Sequence, residues 1–174
     1  MWSSEAVRTR RAVLLGACLT LGACTFRPML HATGDEGVRG ELEAISITGL
    51  DGRLGQLVRN ALLDDLNPTG VQVPSRYILE VDLDRSAEAL GIQLDNVITR
   101  FNLELTARFR LLDSSSGAVL YQSQVHRIAS YNVSPAPYAT LAAEVDAERR
   151  IAREVGDNIG TQLAVHFARQ ATPT

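Results

Sequence analysis

Apolar residues recur along this chain with two periods, and each period predicts an element. Leu54, Leu57, Val58, Ala61, Leu62 and Leu66 are spaced by three and four, which predicts an amphipathic helix over residues 53–66. Asp51 stands where a capping residue belongs, Asn67-Pro68-Thr69-Gly70 stops the helix, and Arg53, Arg59, Asn60 and Asp64 form its opposite, solvated face. Just upstream, Ile45 and Ile47 alternate with Ser46 and Thr48, a short β-branched strand within residues 42–48.

From Tyr77 the period is two. Tyr77, Leu79, Val81 and Leu83 alternate with Ile78, Glu80, Asp82 and Asp84, which predicts a strand with one wet face. After a turn or bulge over residues 91–96, Phe101, Leu103, Leu105, Ala107, Phe109 and Leu111 point one way; Arg100, Asn102, Glu104, Thr106, Arg108 and Arg110 point the other. Asp113-Ser114-Ser115-Ser116-Gly117 turns the chain into a last strand over residues 118–130, with Val119, Tyr121 and Val125 inward. These runs make an antiparallel meander.

Beyond Pro135 and Pro137 the period returns to that of a helix, with Ile151, Val155, Ile159, Leu163 and Phe167 at every fourth position and Leu141 and Val145 extending the stripe upstream. Burying such side chains contributes about 1.5 to 3 kcal/mol each before chain entropy is charged. Gly156 and Gly160 flank the stripe and permit a close approach to the sheet. The order β, α, β, β, β, α predicts an α+β two-layer sandwich: a mainly antiparallel four-stranded sheet, two helices on one face, and the other face polar and uncovered. Residues 41–170 form this single domain and residues 171–174 a tail.

The first residues follow neither period. Arg8, Arg10 and Arg11 precede an apolar run over residues 12–23 that is too short to span a bilayer, the pattern of an export signal. Leu21-Gly22-Ala23-Cys24 has the form of a bacterial lipobox, which makes residues 1–23 a lipoprotein signal peptide and Cys24 the lipidated first residue. Leu15-Gly16-Ala17-Cys18 has the same form but leaves an apolar region below the usual length of about 7 to 15 residues. Thr9-Arg10-Arg11 leaves both the general and the twin-arginine export routes open. Residues 24–40 carry Pro28, Gly34, Gly37 and Gly40 with little periodicity and read as a lipidated, extended tether.

Loss of residues 1–23 removes Arg8, Arg10, Arg11 and Glu5 from 17 basic and 20 acidic residues, leaving 14 and 19, a formal charge of −5. That balance argues against a nucleic-acid partner. With Cys18 removed and Cys24 acylated no thiol is left, so the fold stands on packing alone. Every basic side chain among Lys and Arg is arginine; this suits phosphate and carboxylate recognition, and coding bias produces the same skew.

Cys24-Thr25-Phe26-Arg27-Pro28, the helix with Leu57-Val58-Arg59-Asn60-Ala61-Leu62 ending at Leu66-Asn67-Pro68, the strand entered through Thr99-Arg100, the 113–117 turn, Ser130-Tyr131-Asn132 and the terminal helix together resemble the LPS-assembly lipoprotein family LptE in its alphaproteobacterial form. The resemblance spans the whole mature chain and rests on the order and spacing of weak motifs. It implies an outer-membrane lipoprotein, lipid-anchored on the periplasmic side, that plugs the β-barrel LptD, helps it assemble and takes part in lipopolysaccharide insertion at the cell surface. Thr25 in place of an aspartate after the lipidated cysteine agrees with sorting to the outer membrane.

Lipopolysaccharide or barrel contact is expected at Arg100, Arg108 and Arg110 on the polar strand face, with Arg127 on the neighbouring strand. Guanidinium groups there can pair with lipid A phosphates, or meet water, Glu104 or acidic groups of a barrel wall. No enzyme is expected: the chain has no Gly-x-Ser-x-Gly, no His-Glu-x-x-His, no phosphate-cradling glycine loop and no surviving thiol. His31, His126 and His166 are dispersed, Asp64-Asp65 and Asp82 with Asp84 read as solvated surface, and no cofactor or metal is expected beyond the covalent lipid. An auxiliary lipoprotein of another lipid-trafficking ABC transport system, or a non-catalytic envelope scaffold, fits the same anchor and layering.

Overall fold

The alternation from Tyr77 onward becomes three long strands, β2 (Tyr77–Ile92), β3 (Ile98–Asp113) and β4 (Val119–Asn132), and the earlier β-branched pair becomes β1 (Ile45–Thr48). The helical periods become α2 (Gly52–Leu66) and α3 (Pro137–Ala171), and a further helix, α1 (Asp35–Glu43), opens the series. The structure, a computed structural model, describes residues 35–92 and 98–171. The signal segment, Cys18, Cys24, His31 and most of the expected turn at 91–96 therefore lie outside the described residues.

The four strands lie in the order β1-β2-β3-β4. β2, β3 and β4 pair antiparallel as a meander, whereas β1 runs parallel to β2, so the sheet is mixed. The parallel pair follows from α2: a parallel neighbour requires a crossover connection, and the helix between β1 and β2 provides it. Leu79, Val81, Leu103, Leu105, Ala107, Phe109 and Leu111 are buried in one core with Val58, Leu62 and Leu66 of α2 and Ile151, Val155, Ile159, Leu163 and Phe167 of α3.

Several expectations are corrected by tertiary contacts. The end of the stretch read as an extended tether is helical: α1 docks Val38 and Leu42 on the core, and Glu41 Oε2 accepts from Tyr77 Oη at 2.7 Å and from Arg76 Nη2 at 2.8 Å. Leu42, read as strand, belongs to this helix, which is too short to persist without tertiary support. Val119 is 50 % exposed rather than inward. The register slips between Leu111, opposite Tyr121, and Leu112, opposite Val119, and the extra residue of this bulge turns Val119 to the other face.

Leu141 is 58 % exposed because α3 begins beyond the core, and full burial of its face starts at Ala147. Asp51 occupies the N-cap of α2 but makes no side-chain capping bond. Two arginines of the polar face of α2 are anchored rather than free, since Arg59 Nη1 donates to Ile47 O at 2.7 Å and Arg53 pairs with Glu148 of α3, while Asn60 and Asp64 are exposed.

The turn into β4 is set by Asp113. Its Oδ1 accepts from the backbone N–H groups of Ser115 and Ser116 at 3.0 and 2.8 Å and from both serine hydroxyls, while Gly117 takes φ +70°. The Ser115 and Ser116 side-chain and backbone donors hold the Asp113 carboxyl down at about 2, against 3.8 for an ordinary aspartate. A depressed pKa stabilises the folded state above the unfolded value, so this contribution is complete above about pH 4 and is lost as pH falls through about 2. Carboxyl-detected NMR titration should place the Asp113 midpoint near 2; a midpoint at the ordinary value would show that the turn network does not hold in solution.

Candidate functional site

Side chains alternate along β3, so Arg100, Arg108 and Arg110 project from the face opposite the buried row. The β2–β3 register sets Glu80 directly across from Arg110 and Asp82 across from Arg108. Arg110 Nη2 lies 2.7 Å from Glu80 Oε2, and Arg108 Nη1 lies 3.7 Å from Asp82 Oδ2. Both arginine side chains remain more than half exposed, at 58 % and 57 %. Exposed pairs of this kind contribute about 0 to 1 kcal/mol, so an incoming anion can exchange with the carboxylates at little cost.

On the far side of β3, Gln122 stands opposite Arg110 and Gln124 opposite Arg108. With Thr48 of β1 these residues line an open concavity of about 890 Å³ that crosses all four strands. Gly49 closes its rim: an added Cβ there would sit 2.7 Å from Val81 O, and the residue takes φ +81°, so β1 can leave the sheet at this point. The result is a polar trough with two guanidinium groups, two carboxylates and two amides.

The other expected contacts fall elsewhere. Arg100 shares the face but stands opposite Leu90 and Asn132, eight residues along β3 from Arg108 and outside the concavity. Among the described residues its side chain has no hydrogen bond or ion pair, which leaves it the most available of the three. Arg127 is on the wrong face: it pairs in register with Leu105 of the buried row, and its Nη1 donates to His126 O at 2.8 Å. The sheet therefore separates Arg127 from Arg100, Arg108 and Arg110. Glu104 is not their partner either, since it stands opposite Ser86 and Ile128.

Glu80 and Asp82 stand on the wet side that the period of two predicts for β2, and no motif in the sequence marks Gln122 and Gln124. A signal for the first two was present: pairing the alternating run before the expected turn with the one after it brings 80 opposite 110 and 82 opposite 108. Elsewhere on the polar face Thr106 Oγ1 bonds to His126 Nδ1 at 3.0 Å and Ser130 Oγ donates to Asn102 Oδ1 at 2.6 Å.

A second concavity, of about 400 Å³, lies between α2 and α3 and is lined by Asp64, Asp65, Asp157, Arg149 and Arg153. Burial, and then the charge of Asp157, raise the Asp65 pKa. His166 stacks on Tyr121 with ring centroids 4.8 Å apart, and burial lowers its pKa. Among the described residues no group of three or more His, Cys, Asp or Glu side chains is placed to hold a metal ion, and no helix is long and apolar enough to cross a membrane.

The family model described as LptE, lipopolysaccharide-assembly, matches residues 42–163. The uncharacterized protein RP188 of Rickettsia prowazekii (strain Madrid E) is 23 % identical over 157 residues, covering 90 % of this chain and 97 % of that protein. A crystal structure of a candidate lipoprotein from Caulobacter crescentus CB15 is 33 % identical with a TM-score of 0.67, over 79 % of this chain and 99 % of that one. The rare lipoprotein B of Shewanella oneidensis is 16 % identical with a TM-score of 0.46, over 72 % and 94 % of the two chains.

Proposed function

The chain belongs to the LptE lipopolysaccharide-assembly family, and from that membership we propose an outer-membrane lipoprotein that seats in the lumen of the β-barrel LptD and serves lipopolysaccharide insertion at the cell surface. Lipid on Cys24 holds it on the periplasmic side. A single acyl chain binds a membrane only marginally, whereas a lipobox cysteine carries more than one, enough for stable residence. The role is non-catalytic: the protein fills, supports and helps assemble the barrel.

One observation carries this reading. The sheet face opposite the buried row carries a polar trough whose charges already have partners, Arg108 with Asp82 and Arg110 with Glu80. A barrel lumen is itself polar, so a body with this trough enters it with these four charges already paired. Arg100, which lacks such a partner among the described residues, is the basic side chain best placed for a lipid A phosphate or an acidic wall residue.

The test is a pulldown of the mature protein from solubilised outer membranes in stringent detergent, followed by mass spectrometry, with Cys24→Ser as the unanchored control. A single large β-barrel recovered in near equal amount is the expected result. Recovery of inner-membrane transporter subunits, or of no protein partner, would overturn the reading.

A further inference from the structure

The outer edge of β4 is unusually open. Val133 N–H donates to Thr99 O at 2.9 Å, and hydrogen-bonded and non-bonded pairs alternate along an antiparallel ladder. Carried through the β3–β4 register, that phase gives the odd-numbered residues from Tyr121 to Tyr131 their bonds to β3. The N–H and C=O groups of Gln122, Gln124, His126, Ile128 and Ser130 then point away from the sheet. Two of these carbonyls are reached from outside by side chains, His126 O by Arg127 at 2.8 Å and Ser130 O by Arg150 at 3.2 Å. Among the described residues nothing else bonds to them.

The two edges of the sheet are guarded differently. β1 stops opposite Glu80, so β2 is unpaired on that side from Val81 onward, and this stretch carries Asp82, Asp84, Arg85 and Glu88. Charges of this kind on an edge discourage pairing with another strand. β4 has 14 residues and a single formal charge, Arg127, with no carboxylate. Its faces alternate in part, with Tyr121, Val125, Ala129 and Tyr131 sharing one face with Ser123 and Arg127, and Gln122, Gln124, His126 and Ser130 sharing the other with Ile128. A membrane-spanning strand needs about 9 to 11 residues, which β4 can pair along its whole length.

We propose that this edge docks a strand of the β-barrel partner before that barrel closes. A closed barrel has no free strand edge to offer, whereas an unfinished one has two. The β4 edge accepts a neutral or acidic strand in phase, continues its polar and apolar faces, and holds the seam ordered until the barrel's own strands meet. This inference rests on the barrel partnership proposed above.

The test uses the full chain co-expressed with its barrel. Ile128→Pro removes an N–H that faces away from β3, where proline is tolerated, and Ile128→Ser removes only a half-exposed side chain. Closed barrel recovered with Ile128→Pro is expected to fall at least tenfold, and with Ile128→Ser to stay within about twofold of wild type. Equal recovery with Ile128→Pro overturns the inference and leaves the barrel partnership standing; absence of any barrel with the wild-type chain fails the partnership itself. Should Ile128→Pro lose its melting transition, a photo-crosslinker decides: capture of the newly made barrel chain from Gln124 but not from Asp84 supports the edge. Capture from Asp84 alone, or of a second copy of this protein, overturns it.

Discussion

Phe109→Ala is expected to destabilise the domain by about 3 to 5 kcal/mol, through lost transfer energy and the cavity left behind. Phe109 is 1 % exposed at the centre of β3 and packs tilted against Tyr121, with ring centroids 6.0 Å apart. A domain of this size has about 5 to 15 kcal/mol in total, so the loss removes a large share of it. At roughly 2 to 4 °C per kcal/mol, the melting temperature should fall by about 6 to 20 °C in a thermal scan followed by circular dichroism. The substitution reaches the site as well, because Phe109 lies between Arg108 and Arg110 and its backbone lines the polar trough. Phe109→Leu keeps most of the volume and should cost less than about 1.5 kcal/mol. A loss below about 1 kcal/mol for Phe109→Ala would show that the sheet centre is not packed as described.

Gly156→Leu is expected to cost about 3 kcal/mol by forcing α2 and α3 apart. A Cβ at Gly156 would sit 2.7 Å from Ala61 Cβ and 3.3 Å from Leu62 N, and one at Gly160 would collide with the Asp65 carboxylate. The smaller change Gly156→Ala sets a helix-propensity gain of about 1 kcal/mol against that overlap. Ala61→Gly removes the opposing Cβ, so the two small substitutions should couple by about 1 kcal/mol or more in urea unfolding of the double-mutant cycle. Additivity within about 0.5 kcal/mol would refute the close helix crossing. The glycines serve a helix–helix contact, not the approach to the sheet expected from their place beside the stripe.

Which face each strand residue occupies was largely legible. Leu79, Val81 and the row from Leu103 to Leu111 are buried, and Arg100, Arg108 and Arg110 are exposed, as the period of two requires. The exceptions have local causes. Val119 was misassigned because a bulge adds one residue, and parity counted from the sequence cannot detect an insertion in the pairing. Arg127 stands on the opposite side of the sheet from the three β3 arginines, which parity along β4 already requires: it is two residues from the inward Val125 and so shares its side. Helix α1 was missed because Gly37 and Gly40 lower its propensity, and its docking through Glu41 to Tyr77 and Arg76 joins residues more than thirty positions apart.

By itself the sequence determined the elements from β1 onward, most of their faces and the meander, because hydrophobic period is a property of neighbouring residues on one segment. It also carried the Asp113 turn, whose donors lie within three residues of the acceptor. Only the tertiary structure decided the parallel pairing of β1 with β2, the carboxylate partners of Arg108 and Arg110, the separation of Arg127 from them, the glycine contact between α2 and α3, and the unguarded edge of β4. Each of these depends on which distant segments meet and in what register, and that is settled by packing over the whole domain rather than by the pattern along any one stretch.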